Sequence, residues 1–118
     1  MTAGSYDVEV EVGATFFLDV TWKDPDGNPI DNTGYDARMQ FRKTYKSTTT
    51  VMSFTTGGGQ ITLGGADGKV HVKGIAAVTE LITDRYGVYD LEMIAPSGDV
   101  YRILKGAADF DPEVTRDS

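Results

Sequence analysis

The sequence predicts an all-β fold, an antiparallel sandwich of about seven to nine short strands with one short helix near residues 76–83. Three observations predict it. Apolar residues recur at every second position through most of the chain. Many of the 14 glycines cluster between these runs, where tight turns need them. Turn signals return about every eight to twelve residues, a spacing that suits a sandwich rather than the repeated helices of βαβ units.

Taken in order, Val8, Val10 and Val12 alternate with Asp7, Glu9 and Glu11, the pattern of a half-buried strand that Gly13 ends. Phe16, Leu18, Val20 and Trp22 then alternate with Phe17, Asp19, Thr21 and Lys23, so the sequence places Trp22 in the core. Asp24-Pro25-Asp26-Gly27-Asn28-Pro29 is a turn, and Asp31-Asn32-Thr33-Gly34 a second corner. The next strand sets Tyr35, Ala37, Met39 and Phe41 inward and Asp36, Arg38, Gln40 and Arg42 outward.

Lys46 to Thr50 reads as a loop, and Val51 to Thr55 as a strand with Met52 and Phe54 inward. Ile61 and Leu63 pair with Val70 and Val72 across an Asp67-Gly68 hairpin. The single helical signal is Ala76 to Ile82, with Ala77, Val78, Leu81 and Ile82 at helical spacing; two turns need packing to persist. The last hairpin sets Tyr89, Leu91 and Met93 inward, turns at Ala95–Asp99 and returns through Val100–Leu104. Gly106 then separates a final short strand around Ala108 and Phe110.

Composition bounds the function. At 118 residues the chain is one domain, with a core over 6–111 and polar terminal arms at 1–5 and 110–118. Folding at this size buries roughly two-thirds of the extended surface, enough for one core. There is no cysteine, which excludes thiol chemistry and favours synthesis in a reducing compartment. The N-terminus carries no signal-peptide pattern, and no apolar run reaches the length of a membrane span. A net charge of −7 argues against nucleic acid, whose binding draws on cations that neutralise phosphates.

No catalytic, cofactor or metal site emerges. The Asp24–Asn28 run fails the EF-hand pattern, with Gly27 fourth and Tyr35 twelfth. Gly68-Lys69 fails the phosphate-loop pattern, which Leu63 and Val70 break. His71, the one histidine, lies on the polar side of a strand and lacks a supporting nucleophile motif. The candidate functional residues are instead surface ones: a basic cluster of Arg38, Arg42, Lys43 and Lys46, with Tyr45 and Tyr101 as aromatic anchors for a protein interface. The acidic stretch Asp7, Glu9 and Glu11 is the natural complement of that cluster on another copy.

Several segments together resemble a family. They are Thr15–Leu18, Thr21–Ile30, Thr33–Gln40, Gly59–Gly65, Tyr89–Glu92 and Gly106–Arg116. Over residues 15–116 the chain is similar to small tailed-bacteriophage proteins of the kind found as the N-terminal immunoglobulin-like domain of baseplate upper proteins. The resemblance implies an immunoglobulin-like sandwich without catalytic residues, made in the host cytoplasm and assembled into the virion. It implies partners among the other virion proteins, as a tail, baseplate or fibre-attachment adaptor, and packing with further copies of itself. A capsid-decoration or neck role fits the same resemblance. A carbohydrate-binding module, with Tyr45 or Tyr101 as platform, is the alternative of another class.

Overall fold

The computed structural model describes residues 4–115. In chain order it contains β1 (Gly4–Ser5), β2 (Val8–Glu11), β3 (Phe16–Thr21), β4 (Asp36–Arg42) and β5 (Met52–Thr55). There follow β6 (Ile61–Leu63), β7 (Lys69–Gly74), α1 (Ala76–Thr79), β8 (Tyr86–Ile94) and β9 (Val100–Asp111). The large sheet runs β1-β9-β8-β4-β5, with β2 also on β9, and the small sheet runs β3-β7-β6. β1 and β2 pair with β9 in parallel, whereas the other paired strands are antiparallel. The strand order is that of an immunoglobulin-like sandwich, the small sheet matching strands B, E and D and the large one C, F and G with an added C′.

The alternation read from the sequence builds the core. Val8, Val10, Phe16, Ala37, Met39, Phe41, Met52, Phe54, Val70, Val72, Tyr89, Leu91 and Met93 are all buried. With no cysteine to bridge the sheets, Phe41 is the hub. Its ring centroid lies 5.9 Å from Phe16, 6.0 Å from Phe54, 5.6 Å from Tyr89 and 6.1 Å from Phe110. Each such ring removed from water contributes about 1.5–3 kcal/mol, and favourable ring pairings add to this. Trp22 is buried as expected, edge-on to Tyr35 at 5.6 Å.

The corners close as their residues dictate. Asp24 Oδ1 accepts the N–H groups of Asp26 and Asn28, both at 2.9 Å, so the run that resembles a calcium loop is an Asx-type turn. At Gly68 the φ of +71° and a carbonyl of Trp22 that a Cβ would meet at 2.6 Å both require glycine. Asn32 is fully buried and stitches two loops together. Its Oδ1 accepts Gly65 N–H at 2.7 Å and its Nδ2 donates to Lys69 O at 3.1 Å.

Three details differ from the sequence expectation. Gly106 does not divide the last strand: β9 is continuous from Val100 to Asp111. The glycine is there because a Cβ would overlap the Tyr6 carbonyl, where the N-terminal segment crosses. The helix is a single turn that packs through Thr79 and, in part, Val78, while Ala77 faces water; Leu81 and Ile82 follow it, the first exposed and the second buried. Thr79 fixes this face, because its hydroxyl donates to Ala14 O at 2.7 Å and accepts Gly13 N–H at 3.2 Å. The expected terminal arms are also shorter. Gly4 and Ser5 are paired with β9, Phe110 is in the core, and residues 1–3 and 116–118 lie outside the described residues.

Candidate protein-binding face

The outer face of the large sheet is a grid fixed by strand register. One row across it reads Thr55, Arg38, Glu92, Arg102; the next reads Ser53, Gln40, Asp90, Lys105. A third places Arg42 beside Val88 and Ala107. Polar side chains therefore interleave by sign across neighbouring strands. Arg38 Nε donates to Glu92 Oε1 at 2.7 Å, and Arg102 Nε lies 3.3 Å from Asp90 Oδ2. Burial raises the Asp90 carboxyl above its ordinary range, and Glu92 adds to this; Arg102, Arg38 and Arg42 act the other way.

The basic cluster expected from sequence is only partly free. Arg38 is paired, and Arg42 holds the turn after β4, donating to Ser47 O at 2.8 Å and Gln40 Oε1 at 3.0 Å. Lys43 and Lys46 are exposed in that turn, and Tyr45 between them is 76% exposed. Tyr45, Arg42, Gln40, Asp90 and Lys105 line a shallow groove of about 380 Å³ across the sheet. So the structure gathers Arg38, Arg42, Lys43, Lys46 and Tyr45 along one side of one face.

Tyr101 does not join them. Strict alternation along β9 would set it outward, but the register with β8 shifts between Leu91 and Glu92, which face Leu104 and Arg102. Ile103 is the extra residue of this bulge, and the bulge reverses which side chains point in. Tyr101 is turned toward the small sheet and lies 5.7 Å from the Trp22 ring. It remains 38% exposed, at the rim of the core and apart from the groove.

The opposite side of the face is acidic, and the sequence showed only half of it. β2 and β9 run in parallel register, with Glu9 beside Asp109 and Glu11 beside Asp111. Val8, Val10, Ala108 and Phe110 are buried, so the intervening four carboxylates point outward from adjacent strands. Arg85 forms an ion pair with Asp109 and lies over the Tyr86 ring at 4.7 Å. Asp7 belongs to the fold instead, because its Oδ1 accepts Ala107 N–H at 3.0 Å.

The N-terminal strand is clamped from below by a tyrosine. Tyr89 Oη donates to the Tyr6 carbonyl at 2.5 Å. Burial, followed by Tyr6 and Asp7, pushes the Tyr89 hydroxyl well above its ordinary range and keeps it a donor. Nothing in the sequence marked this contact, which spans 83 positions.

The outer face of the small sheet holds a second polar group. His71 Nδ1 lies 2.5 Å from Asp19 Oδ1, Phe17 packs 6.1 Å from the imidazole, and Lys73 sits over Phe17 at 5.9 Å. Thr62 is opposite His71 on β6, but no hydrogen bond joins its hydroxyl to the imidazole. Among the described residues no group of three His, Asp or Glu side chains converges on a point where a metal ion could sit.

No protein-family model and no curated protein matches the chain. Among solved structures, one titled Tim-1 aligns with 98% of this chain and 99% of its own length, at 13% identity and a TM-score of 0.42. A similarity at that level carries no argument about function.

Proposed function

We propose that the domain is a non-enzymatic structural subunit of a tailed-phage virion, binding other virion proteins as a tail, baseplate or fibre-attachment adaptor. The residue resemblance over 15–116 supplies the setting. The observation that carries the binding role is the outer face of the large sheet. Its polar groups are laid out in rows and paired across strands, with Arg38 on Glu92 and Arg102 on Asp90, and its two sides carry opposite charge. Such a face suits a broad complementary surface, where charge sets partner and register. Mass spectrometry of purified particles tests the reading: the chain is expected among virion proteins at a fixed stoichiometry. Its presence in infected-cell lysate but absence from particles refutes it. Labelled chain seen on the head or neck, rather than on the tail, would assign the capsid-decoration or neck role.

One observation favours carbohydrate binding as the second reading. Tyr45 stands exposed over a groove that also presents Gln40, Asp90 and Glu92. An aromatic face beside planar polar groups suits a sugar ring. Glycan-array binding abolished by Tyr45→Ala, with particle incorporation intact, would establish it. Tyr101, exposed but turned toward Trp22, does not line this groove.

A further inference from the structure

The large sheet carries two charged margins at the same end. Arg42 stands level with Val88 and Ala107, and the turn that follows, with Lys43 and Lys46, continues toward the height of Tyr86. On the far side of the sheet Asp109 and Glu9 stand at the height of Tyr86, with Asp111 and Glu11 just beyond. Among the described residues, Lys43, Lys46, Glu9, Glu11 and Asp111 have no ion-pair partner, although carboxylates facing one another across a strand pair are destabilising.

We propose that this face binds a second copy of the chain, the two large sheets stacking about a two-fold axis that runs along β8. A half turn about an axis parallel to the strands exchanges the two margins but keeps each residue's height. The basic turn of one copy then lies over the acidic β2–β9 margin of the other, and the contact occurs twice, as an isologous dimer requires. β8 is the third strand of the five in the β1-β9-β8-β4-β5 path, so the axis passes near the middle of the face. The carboxylates nearest the axis enter already paired, Glu92 with Arg38 and Asp90 with Arg102. Tyr45 and Tyr86, both exposed, stand at the heights where the margins meet and supply aromatic area. A chain of net charge −7 repels its copies unless opposite margins are brought together, and this arrangement does so.

The inference rests on the proposed function only for where a dimer would be used, so it is tested on the isolated full chain. Sedimentation equilibrium is expected to show a dimer at low ionic strength that weakens as salt screens the margins. Lys43→Glu with Lys46→Glu makes both margins acidic, and Glu9→Lys with Glu11→Lys cancels the acidic margin by setting two lysines beside Asp109 and Asp111. Each double variant alone should dimerise at least about tenfold more weakly. An equimolar mixture should recover a heterodimer, and the fourfold variant should recover the homodimer. All four positions are exposed, so a cooperative melt no lower than that of wild type serves as the folding control, and the Glu9→Lys, Glu11→Lys variant should melt slightly higher because its lysines face Asp109 and Asp111. A wild-type chain that stays monomeric at every concentration and salt level, or a dimer indifferent to both double variants, overturns the proposal. Particle incorporation without a solution dimer would overturn this inference alone and leave the virion role standing.

Discussion

Replacing Tyr89 with Phe removes one oxygen and asks whether the N-terminal strand is held by that hydroxyl. The ring is buried against Phe41 and remains so in the variant, so packing is conserved and the hydrogen bond to the Tyr6 carbonyl is the term that changes. A neutral hydrogen bond of this kind contributes about 0.5–1.5 kcal/mol net. The Tyr6 side chain is exposed and water can reach the segment, so the orphaned carbonyl recovers a partner and the loss falls near the middle, about 1 kcal/mol. For 118 residues the unfolding entropy is about 0.25 kcal/mol per degree, which sets the expected fall in Tm at about 4 °C. The loss should be local. Tyr6 N–H donates to Lys105 O at 2.9 Å and Ala107 N–H to Asp7, so these amides should lose hydrogen-exchange protection while those of β4 and β8 keep theirs. Gly106→Ala attacks the same crossing sterically and should cost more, about 1–3 kcal/mol, because backbone must move. Calorimetry with amide exchange reads both. A Tyr89→Phe protein that melts within a degree of wild type, with Tyr6 and Ala107 still protected, refutes the clamp.

Two further outcomes follow from buried polar groups. Thr79→Val leaves Gly13 N–H and Ala14 O without the hydroxyl that serves both; it should destabilise by about 1–3 kcal/mol in urea titration, and Thr79→Ser should retain most of the stability. Asp90 has its folded-state carboxyl raised, first by burial, so the unfolded chain releases that proton at lower pH than the folded one. Stability from this group is therefore greatest at acid pH and is lost as pH rises through its titration. The stability of wild type relative to Asp90→Asn should accordingly increase as pH falls from neutrality through the carboxylate range, and an unchanged difference would show that the burial is not felt.

The strands were legible in the sequence because one rule governs them. Alternation sets Met39, Phe41, Leu91 and Met93 inward, and burial confirms each. What alternation cannot reveal is a change of phase. The bulge at Ile103 reverses β9, and with it Tyr101, though still exposed, turns away from the outer face and toward Trp22. Long-range polar contacts were equally hidden. Asn32 and Thr79 sit in segments that read as a corner and a helical face, yet each is buried by partners 33 or more positions away. The residues of the basic cluster lie along one side of one face, but the pairing of Arg38 was not legible, because Glu92 lies 54 positions away.

The acidic margin shows how the core dictates the surface. In a parallel pair, residues at the same height point the same way, so burying Val8 with Ala108 and Val10 with Phe110 obliges Glu9 to stand beside Asp109 and Glu11 beside Asp111. A slip of one residue would relieve the repulsion but would drive the β2 carboxylates inward and two valines out to water. Two buried valines are worth about 1.5–3 kcal/mol each, whereas each exposed like-charge pair costs no more than about 1 kcal/mol. The register therefore holds, and the repulsion persists as a fixed property of the folded chain. Among the described residues Arg85 relieves it in part, through its ion pair with Asp109 and a weaker attraction to Asp111. A basic surface brought against this margin gains what the intramolecular fold leaves unsatisfied, and the turn bearing Lys43 and Lys46 on a second copy is such a surface.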